Sequence, residues 1–127
     1  MEILIESTKR FEKDLNKLNS FDKNKVVKAI NNCVNWVGEN GIYSSKKLSR
    51  LKIHSHIEGY ESSLYLLKID RKKRVMLCID EDPIFGQIIF TLFRVFYVDK
   101  IEENIKGFVE SMYQRLREES EEAQLIT

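Results

Sequence analysis

Two apolar runs flank four consecutive cations in the stretch LYLLKIDRKKRVMLCID, residues 64–80, which constrains the fold more than any other part of the chain. Apolar runs of this length, separated by a short polar segment, are typical of a β-hairpin. Side chains alternate between the faces of a strand, so pairing Ile69 with Val75 collects the apolar odd-numbered side chains on one face. A register slipped by one residue would expose half of these apolar side chains to water, and it is therefore strongly disfavoured.

That register also places Lys68 and Arg74 on the face opposite the predicted core, near the same end of the hairpin. Arg71, Lys72 and Lys73 lie just beyond them in the turn. The pattern predicts a small cationic patch on a rigid sheet. On the residues alone, passive surface charge is the preferred interpretation, and binding or cleavage of a phosphodiester is the alternative.

Positive charge is concentrated in the middle of the chain, although the net charge of the 127 residues is only +1. Residues 44–74 contain nine Lys or Arg residues and three acidic ones, a local charge of +6. Such an asymmetry favours a polyanionic partner for this segment. Its cations before the hairpin are either solvated loop charge or contacts for RNA phosphates: Lys46, Lys47, Arg50 and Lys52.

Helical periodicity precedes and follows the predicted hairpin. Apolar residues three or four positions apart predict an amphipathic helix over residues 8–18, capped by Ser7 or Thr8. A second helix is predicted with Asp22 as its cap, and glycines after its apolar stripe supply the stop signal. A third helical pattern begins after Lys100.

Strands account for most of the remaining chain. One is predicted at residues 2–6, and three more at about 63–70, 74–80 and 87–97. The intervening residues 42–59 predict a loop with some extended backbone. The sequence therefore predicts an α+β domain in the order β-α-α-β-β-β-α, with an antiparallel sheet of about four strands, an N-terminal helical hairpin and a C-terminal helix.

The bulk properties are those of one ordinary domain. With 43% hydrophobic residues the chain can bury a real core, and the domain is predicted to cover residues 1–117, followed by an acidic tail at 118–127. No signal peptide is predicted, and no apolar run approaches the roughly 20 residues of a membrane helix. Cys33 and Cys78 have no C-x-x-C spacing, so we expect a reduced, cytoplasmic protein without membrane contact.

Two further features have a structural and a functional interpretation. His54, His56 and Glu58 would share one face of a strand and could bind zinc, but no further ligand stands out, so surface histidines are preferred and neither a metal nor a cofactor is expected. Trp36 and Tyr43 are predicted to pack the second helix against the sheet, with base stacking as the alternative.

The chain resembles the RelE/ParE superfamily of bacterial type II toxins from about residue 5 to residue 116. The resemblance is carried by the opening helix FEKDLNKL, Gly59 before the hairpin, the hairpin itself, the strand IIFTLFRVFY and the closing helix. It implies a toxin of a toxin–antitoxin system, neutralised by a cognate antitoxin protein.

For the RelE branch, the resemblance implies a metal-independent endoribonuclease that cuts mRNA at the ribosome and inhibits translation. It implies Lys68 as the base, Arg74 and Arg94 as arginines that stabilise the transition state, and Tyr97 as the aromatic that orients or protonates. Fixed cations suit the dianionic phosphorane formed by 2′-OH attack. Alternation places Arg94 and Tyr97 on opposite faces unless the strand ends or bulges between them.

The other cations of the middle segment are then predicted to bind RNA: Lys46, Lys47, Arg50, Lys52, Arg71, Lys72 and Lys73. Two departures leave alternatives open, since the late histidine of the RelE branch has no counterpart here and the near-neutral charge is unusual for ribosome-dependent members. A toxin of the ParE kind, which inhibits DNA gyrase, is the first alternative. A non-catalytic module that binds an antitoxin is the second.

Overall fold

The structure is a computed structural model that describes residues 2–41, 45–51, 64–111 and 114. Five strands form one sheet: β1 (Glu2–Ser7), β2 (Leu48–Arg50), β3 (Leu64–Lys68), β4 (Lys73–Asp82) and β5 (Gln87–Tyr97). Helices α1 (Lys9–Asn16) and α2 (Ser20–Asn40) follow β1, and residues 101–111 form the helix α3. The predicted α+β class is confirmed, and the short strand β2 adds a fifth strand to the predicted order.

The strands lie in the order β1-β5-β4-β3-β2. Every neighbouring pair is antiparallel except β1 and β5, which run parallel from Glu2 opposite Gln87 to Ser7 opposite Leu92. A parallel pair needs a long crossover, and the helices and hairpin between these two strands provide it. The prediction of an antiparallel sheet therefore holds for every pair but this one.

Two clusters of buried side chains cover the two faces of the sheet. The helix face, covered by α1 and α2, carries the larger cluster, which includes Phe11, Val75 and the fully buried Phe90. The α3 face carries a smaller cluster around Met76 and Phe96, against which residues of α3 pack. Helices therefore pack on both faces of the sheet, and this packing fixes the positions of β3 and β4.

Polar side chains begin both helices of the N-terminal pair. Thr8 caps α1: its Oγ1 accepts a hydrogen bond from the N–H of Phe11 at 3.1 Å and donates to the carbonyl of Phe93 in β5 at 3.0 Å. Asn19, and not the predicted Asp22, caps α2, because its Oδ1 accepts from the N–H of Asp22 at 2.8 Å. Asp22 thus lies in the first turn of α2, where its carboxylate interacts favourably with the positive end of the helix dipole.

The stop signal of α2 is Gly41 and not Gly38. Gly41 has a φ of +88°, a conformation that suits glycine, and its N–H donates to the carbonyl of Val37. Gly38 lies inside the helix, where a Cβ would come within 2.9 Å of Cδ1 of Ile3. Glycine at position 38 therefore allows α2 to lie close to β1.

Thr8→Ala is expected to lower the free energy of unfolding by about 1–2 kcal/mol, because it removes both the cap of α1 and the hydrogen bond to β5. Urea denaturation of the purified chain measures this. Thr8→Ser keeps the hydroxyl and should cost less than about 0.5 kcal/mol. If the serine variant is as unstable as the alanine variant, packing of the methyl group, and not the hydroxyl, stabilises this junction.

No helix in the described ranges is long and apolar enough to cross a membrane. Cys33 is buried in the helix-face core, and burial raises the pKa of its thiol to about 11, so it is a poor nucleophile. Cys78 is a half-buried thiol in β4. The predicted acidic tail, residues 118–127, lies outside the described residues.

Candidate functional site

The hairpin of β3 and β4 pairs Leu67 with Val75, so its register differs by two residues from the predicted pairing of Ile69 with Val75. A shift of two preserves the faces, and the apolar odd-numbered side chains still meet on the helix face. Lys68 is directly opposite Arg74 on the α3 face. The structure therefore brings together the two cations that the sequence analysis placed side by side.

Asp70 closes the hairpin turn. Its Oδ1 accepts hydrogen bonds from the backbone N–H groups of Lys72 and Lys73, both at 2.8 Å, and the N–H of Ile69 donates to the carbonyl of Lys73. An aspartate that accepts bonds from the backbone two and three residues ahead stabilises a turn without glycine. This local closure centres the turn on Arg71, which explains why Val75 pairs with Leu67, two residues further from the turn than the predicted Ile69.

Lys73 belongs to the interior of the hairpin. It is 5% exposed, and its Nζ lies 2.8 Å from Oδ2 of Asp70 and 3.4 Å from Oδ1 of Asp22. The hydrogen bond to Asp70 is the main cause that raises the pKa of Lys73. Its charge is therefore used within the fold, and the structure places it away from the exposed cations with which it was grouped.

The carboxylate of Asp70 is stabilised in its charged form. Burial opposes that charge, but hydrogen bonds from the Lys73 ammonium group, from the backbone N–H groups of Lys72 and Lys73, and from Lys25 outweigh it. Together they hold the pKa of Asp70 well below its usual range. The turn is thus a rigid, ion-paired support for the strand that begins at Lys73.

Arg74 is anchored by backbone atoms. Its Nη1 donates to the carbonyls of Asp70 at 2.6 Å and Lys73 at 2.9 Å, and the side chain is half-buried. Lys68, opposite it, is exposed. Within the described part of the chain no carboxylate lies within 4.0 Å of the charged group of either residue. The guanidinium of Arg74 is therefore held in place beside the exposed Lys68, and its positive charge is available to an anion.

Arg94 is on the same face but is paired. β5 carries Phe93 as an extra residue in a bulge, after which Arg94 lies opposite Met76. Its guanidinium makes two hydrogen bonds to the carboxylate of Asp14, at 2.7 and 3.1 Å, and that carboxylate also accepts from the N–H of Val95. The side chain lines a groove of about 1040 Å³ between α1, β5 and α3. Asp14 thus neutralises the arginine that was predicted to act with Arg74.

Tyr97 ends β5 and is 49% exposed. It pairs with Lys73, and the register is unbroken from Arg94 to Tyr97 because the bulge lies before Arg94. Alternation therefore places Tyr97 on the helix side and Arg94 on the α3 side, as expected for an unbroken strand. The structure does not bring Tyr97 onto the face that carries Lys68 and Arg74.

The remaining predicted cations that the structure describes are all exposed. Arg71 and Lys72 are exposed in the hairpin turn, and Lys46 and Lys47 are exposed just before β2. Arg50 is exposed at the end of β2, opposite Tyr65, whose side chain is on the helix face. The residues singled out in the sequence that lie outside the described ones are Tyr43, Lys52, His54, His56, Glu58 and Gly59. Within the described ranges, no cluster of His, Cys, Asp or Glu could hold a metal ion.

The single mixed sheet, with a helical pair on one face and a closing helix on the other, is a fold that this chain shares with several solved toxin structures. The resemblance found in the sequence is confirmed at the level of the fold by solved structures. No protein-family model matches the chain by sequence, and no curated protein does either.

Three solved structures illustrate the similarity. The YoeB dimer from Staphylococcus aureus superposes with a TM-score of 0.55 at 19% identity, over 76% of this chain and 98% of that one. The E. coli DinJ–YafQ toxin–antitoxin complex gives 0.55 at 12% identity, over 80% and 98%. The RelBE2 toxin–antitoxin complex from Mycobacterium tuberculosis gives 0.50 at 13% identity, over 76% and 99%. At these identities the similarity establishes the fold, and activity has to be argued from the residues.

Proposed function

We propose that this chain is the toxin of a type II toxin–antitoxin system and that it inhibits translation by cleaving mRNA at the ribosome without a metal. The observation that carries the proposal is the pair Lys68 and Arg74, held opposite each other on one face with no carboxylate partner among the described residues. The toxin fold supports the same class, since the neighbouring structures include toxins and toxin–antitoxin complexes.

The proposed reaction is an attack by the ribose 2′-oxygen on the adjacent phosphorus. The new bond from the 2′-oxygen forms as the bond to the 5′-oxygen breaks, giving a 2′,3′-cyclic phosphate and a free 5′-hydroxyl. Lys68 accepts the 2′-OH proton as the general base, and water protonates the departing 5′-oxygen, which leaves as the 5′-hydroxyl. Arg74 donates to the oxygens on which negative charge develops, and its backbone anchors keep it oriented before the substrate arrives.

Induction of the chain in a bacterial host without the cognate antitoxin is expected to arrest growth and to create new 5′ ends in mRNA, detected by primer extension. The double variant Lys68→Ala/Arg74→Ala should lose both effects. Lys9→Gln/Lys28→Gln removes the same charge from exposed residues of α1 and α2 and should keep both effects. Growth arrest without new mRNA ends, or unchanged cleavage by the first double variant, would contradict the proposal.

A gyrase-inhibiting toxin is the second candidate. The observations that favour it are the ion pair between Arg94 and Asp14 and the position of Tyr97, because both leave fewer reactive groups beside Lys68 and Arg74 than the RelE branch implies. The structure of a YoeB/ParE toxin from Agrobacterium tumefaciens also superposes on the chain, with a TM-score of 0.52. Intact mRNA with a DNA-damage response in the same induced cells would select this candidate.

The proposed partner in the resting cell is a cognate antitoxin in the cytoplasm. Its neutralising segment would carry acidic residues, since the face that presents Lys68 and Arg74 is positively charged. Co-expression with a candidate antitoxin encoded next to this gene should restore growth and yield a complex that copurifies with the toxin. A neighbouring product that neither binds nor protects would contradict this assignment.

A further inference from the structure

Trp36 lies at the surface of α2, although the sequence analysis predicted that it packs α2 against the sheet. The residue is 48% exposed. It lines a cleft of about 330 Å³ together with Asn32 of the same helix and the exposed Lys46 and Lys47. A large aromatic ring and two cations therefore share one opening, a combination that the core of the domain does not require.

This cleft adjoins the proposed cleavage face at the edge of β3. The N–H of Lys68 donates to the carbonyl of Lys47 at 2.9 Å, which continues the pairing of Leu48 with Leu67 by one residue. Lys47 is thus the direct neighbour of Lys68, and it lines the cleft that contains Trp36. A bound polyanion that contacts Arg74 and Lys68 can therefore continue over this edge to Lys47 and remain in contact with positively charged side chains.

We propose that Trp36, Lys46 and Lys47 form a binding subsite for single-stranded RNA, in which one base stacks on Trp36 and the two lysines contact the flanking phosphates. Aromatic platforms beside cationic tracks are how proteins bind single strands, because every base has a stacking face and every link carries a charge. An acidic peptide would match the lysines but would leave the indole unused. The inference rests on the proposed function and deepens it, since the RNA strand bound at this subsite is the one presented to Lys68 and Arg74.

The chain carries its own probe, because Trp36 is the only tryptophan in the 127-residue sequence. A 2′-O-methyl RNA oligonucleotide cannot be cleaved by 2′-oxygen attack and therefore reports binding alone. Titration with it is expected to quench the tryptophan fluorescence in a saturable manner. An abasic oligonucleotide of the same length should bind more weakly and quench little.

Trp36→Ala should weaken binding of the 2′-O-methyl oligonucleotide about 5- to 150-fold by fluorescence anisotropy, the range for loss of one stacked base. Trp36→Phe keeps a stacking ring and should recover most of the affinity. Phe21→Ala is the matched control, since Phe21 is another exposed aromatic residue of α2, 73% exposed, and it does not line this cleft. Lys46→Gln/Lys47→Gln should reduce the slope of log affinity against log salt by about 1.4 for two lost phosphate contacts.

Equal binding of abasic and base-bearing oligonucleotides, equal quenching by polyglutamate, or unchanged affinity of Trp36→Ala would overturn the subsite. Its failure is separable from that of the proposed function. If the wild-type protein cleaves mRNA and Trp36→Ala binds RNA normally, the nuclease proposal stands and the subsite proposal fails. If RNA quenches the fluorescence of the wild-type protein as described but is not cleaved by it, the subsite proposal stands and the nuclease proposal fails.

Discussion

Under the proposed nuclease function, Arg74→Ala is expected to slow mRNA cleavage by about 10²–10³-fold, the range measured when one fixed donor to a developing oxyanion is removed. The guanidinium is oriented in advance by the carbonyls of Asp70 and Lys73, so little reorganisation is needed when charge develops on the phosphorane. Single-turnover cleavage of a short mRNA on purified ribosomes, at saturating toxin, measures the rate of the chemical step.

Arg74→Lys separates charge from geometry in the same assay. Lysine keeps the positive charge, but a single ammonium group cannot bond two loop carbonyls and still present the flat, forked donors of a guanidinium. We expect a rate between those of the wild type and Arg74→Ala. Arg71→Ala is the matched control, because that exposed turn cation should affect the affinity for the ribosome and not the rate at saturation.

Loss of the fold could imitate loss of chemistry, so the urea midpoint of each variant is measured beside its rate. An Arg74→Ala protein that is folded and cleaves within threefold of the wild-type rate would remove Arg74 from the mechanism. Arg94 would then be the remaining arginine of this face, and Asp14→Asn, which releases its ion pair, would be the next variant to assay.

The faces of the β3–β4 hairpin could be predicted from the sequence, but its register could not. The alternation of side chains between the two faces excludes a register shifted by one residue, but it cannot distinguish registers that differ by two residues. The choice between Leu67 and Ile69 as the partner of Val75 depends on how the turn closes. Asp70 decides it through two backbone hydrogen bonds, and an aspartate just before a polar turn was the signal that could have indicated it.

The roles of the four turn cations were not predictable from their order in the chain. By composition Arg71, Lys72, Lys73 and Arg74 are equivalent, yet the structure exposes the first two, buries the third and anchors the fourth. The contact that draws Lys73 inward comes partly from Asp22, 51 residues away. Periodicity describes neighbours in sequence, so ion pairs between distant elements escape it.

Long-range pairing also explains the other differences. Arg94 meets Asp14 across 80 residues of sequence, and the parallel pair of β1 and β5 joins segments just as distant. The exposure of Trp36, in contrast, was already implied by helical spacing. The buried stripe of α2 uses Val34 and Val37, and Trp36, directly before Val37, falls beside that stripe and not on it.

Asp70→Asn is expected to lower the free energy of unfolding by about 3–5 kcal/mol, because it leaves the ammonium group of Lys73 nearly buried without its main counter-charge. The side chain of Lys73 is 6% exposed, and Asp22, at 3.4 Å, is its other carboxylate partner in the described structure. Asparagine keeps an oxygen that accepts the two turn N–H groups, so the substitution tests the charge and spares the turn. Urea denaturation near neutral pH measures the loss.

A second substitution identifies the cause. Lys73→Met removes the buried charge and fills the same space with an apolar side chain, so the double variant Asp70→Asn/Lys73→Met should recover most of the lost stability. Glu81→Gln is the matched control, since Glu81 is an exposed carboxylate of the same hairpin strand, and it should change stability by less than about 0.5 kcal/mol.

The effect of Asp70 depends on pH with a definite sign. The pKa of Asp70 is lowered in the folded state. Its contribution to stability is therefore complete above the pKa of the unfolded chain, about 3.9. It is lost as the pH falls below that value, because the unfolded chain then binds a proton and the folded chain does not. The stability difference between the wild type and Asp70→Asn should therefore shrink between about pH 5 and pH 2. A difference that stays constant over this interval, or a double variant no more stable than Asp70→Asn, would show that the ion pair does not hold the hairpin turn.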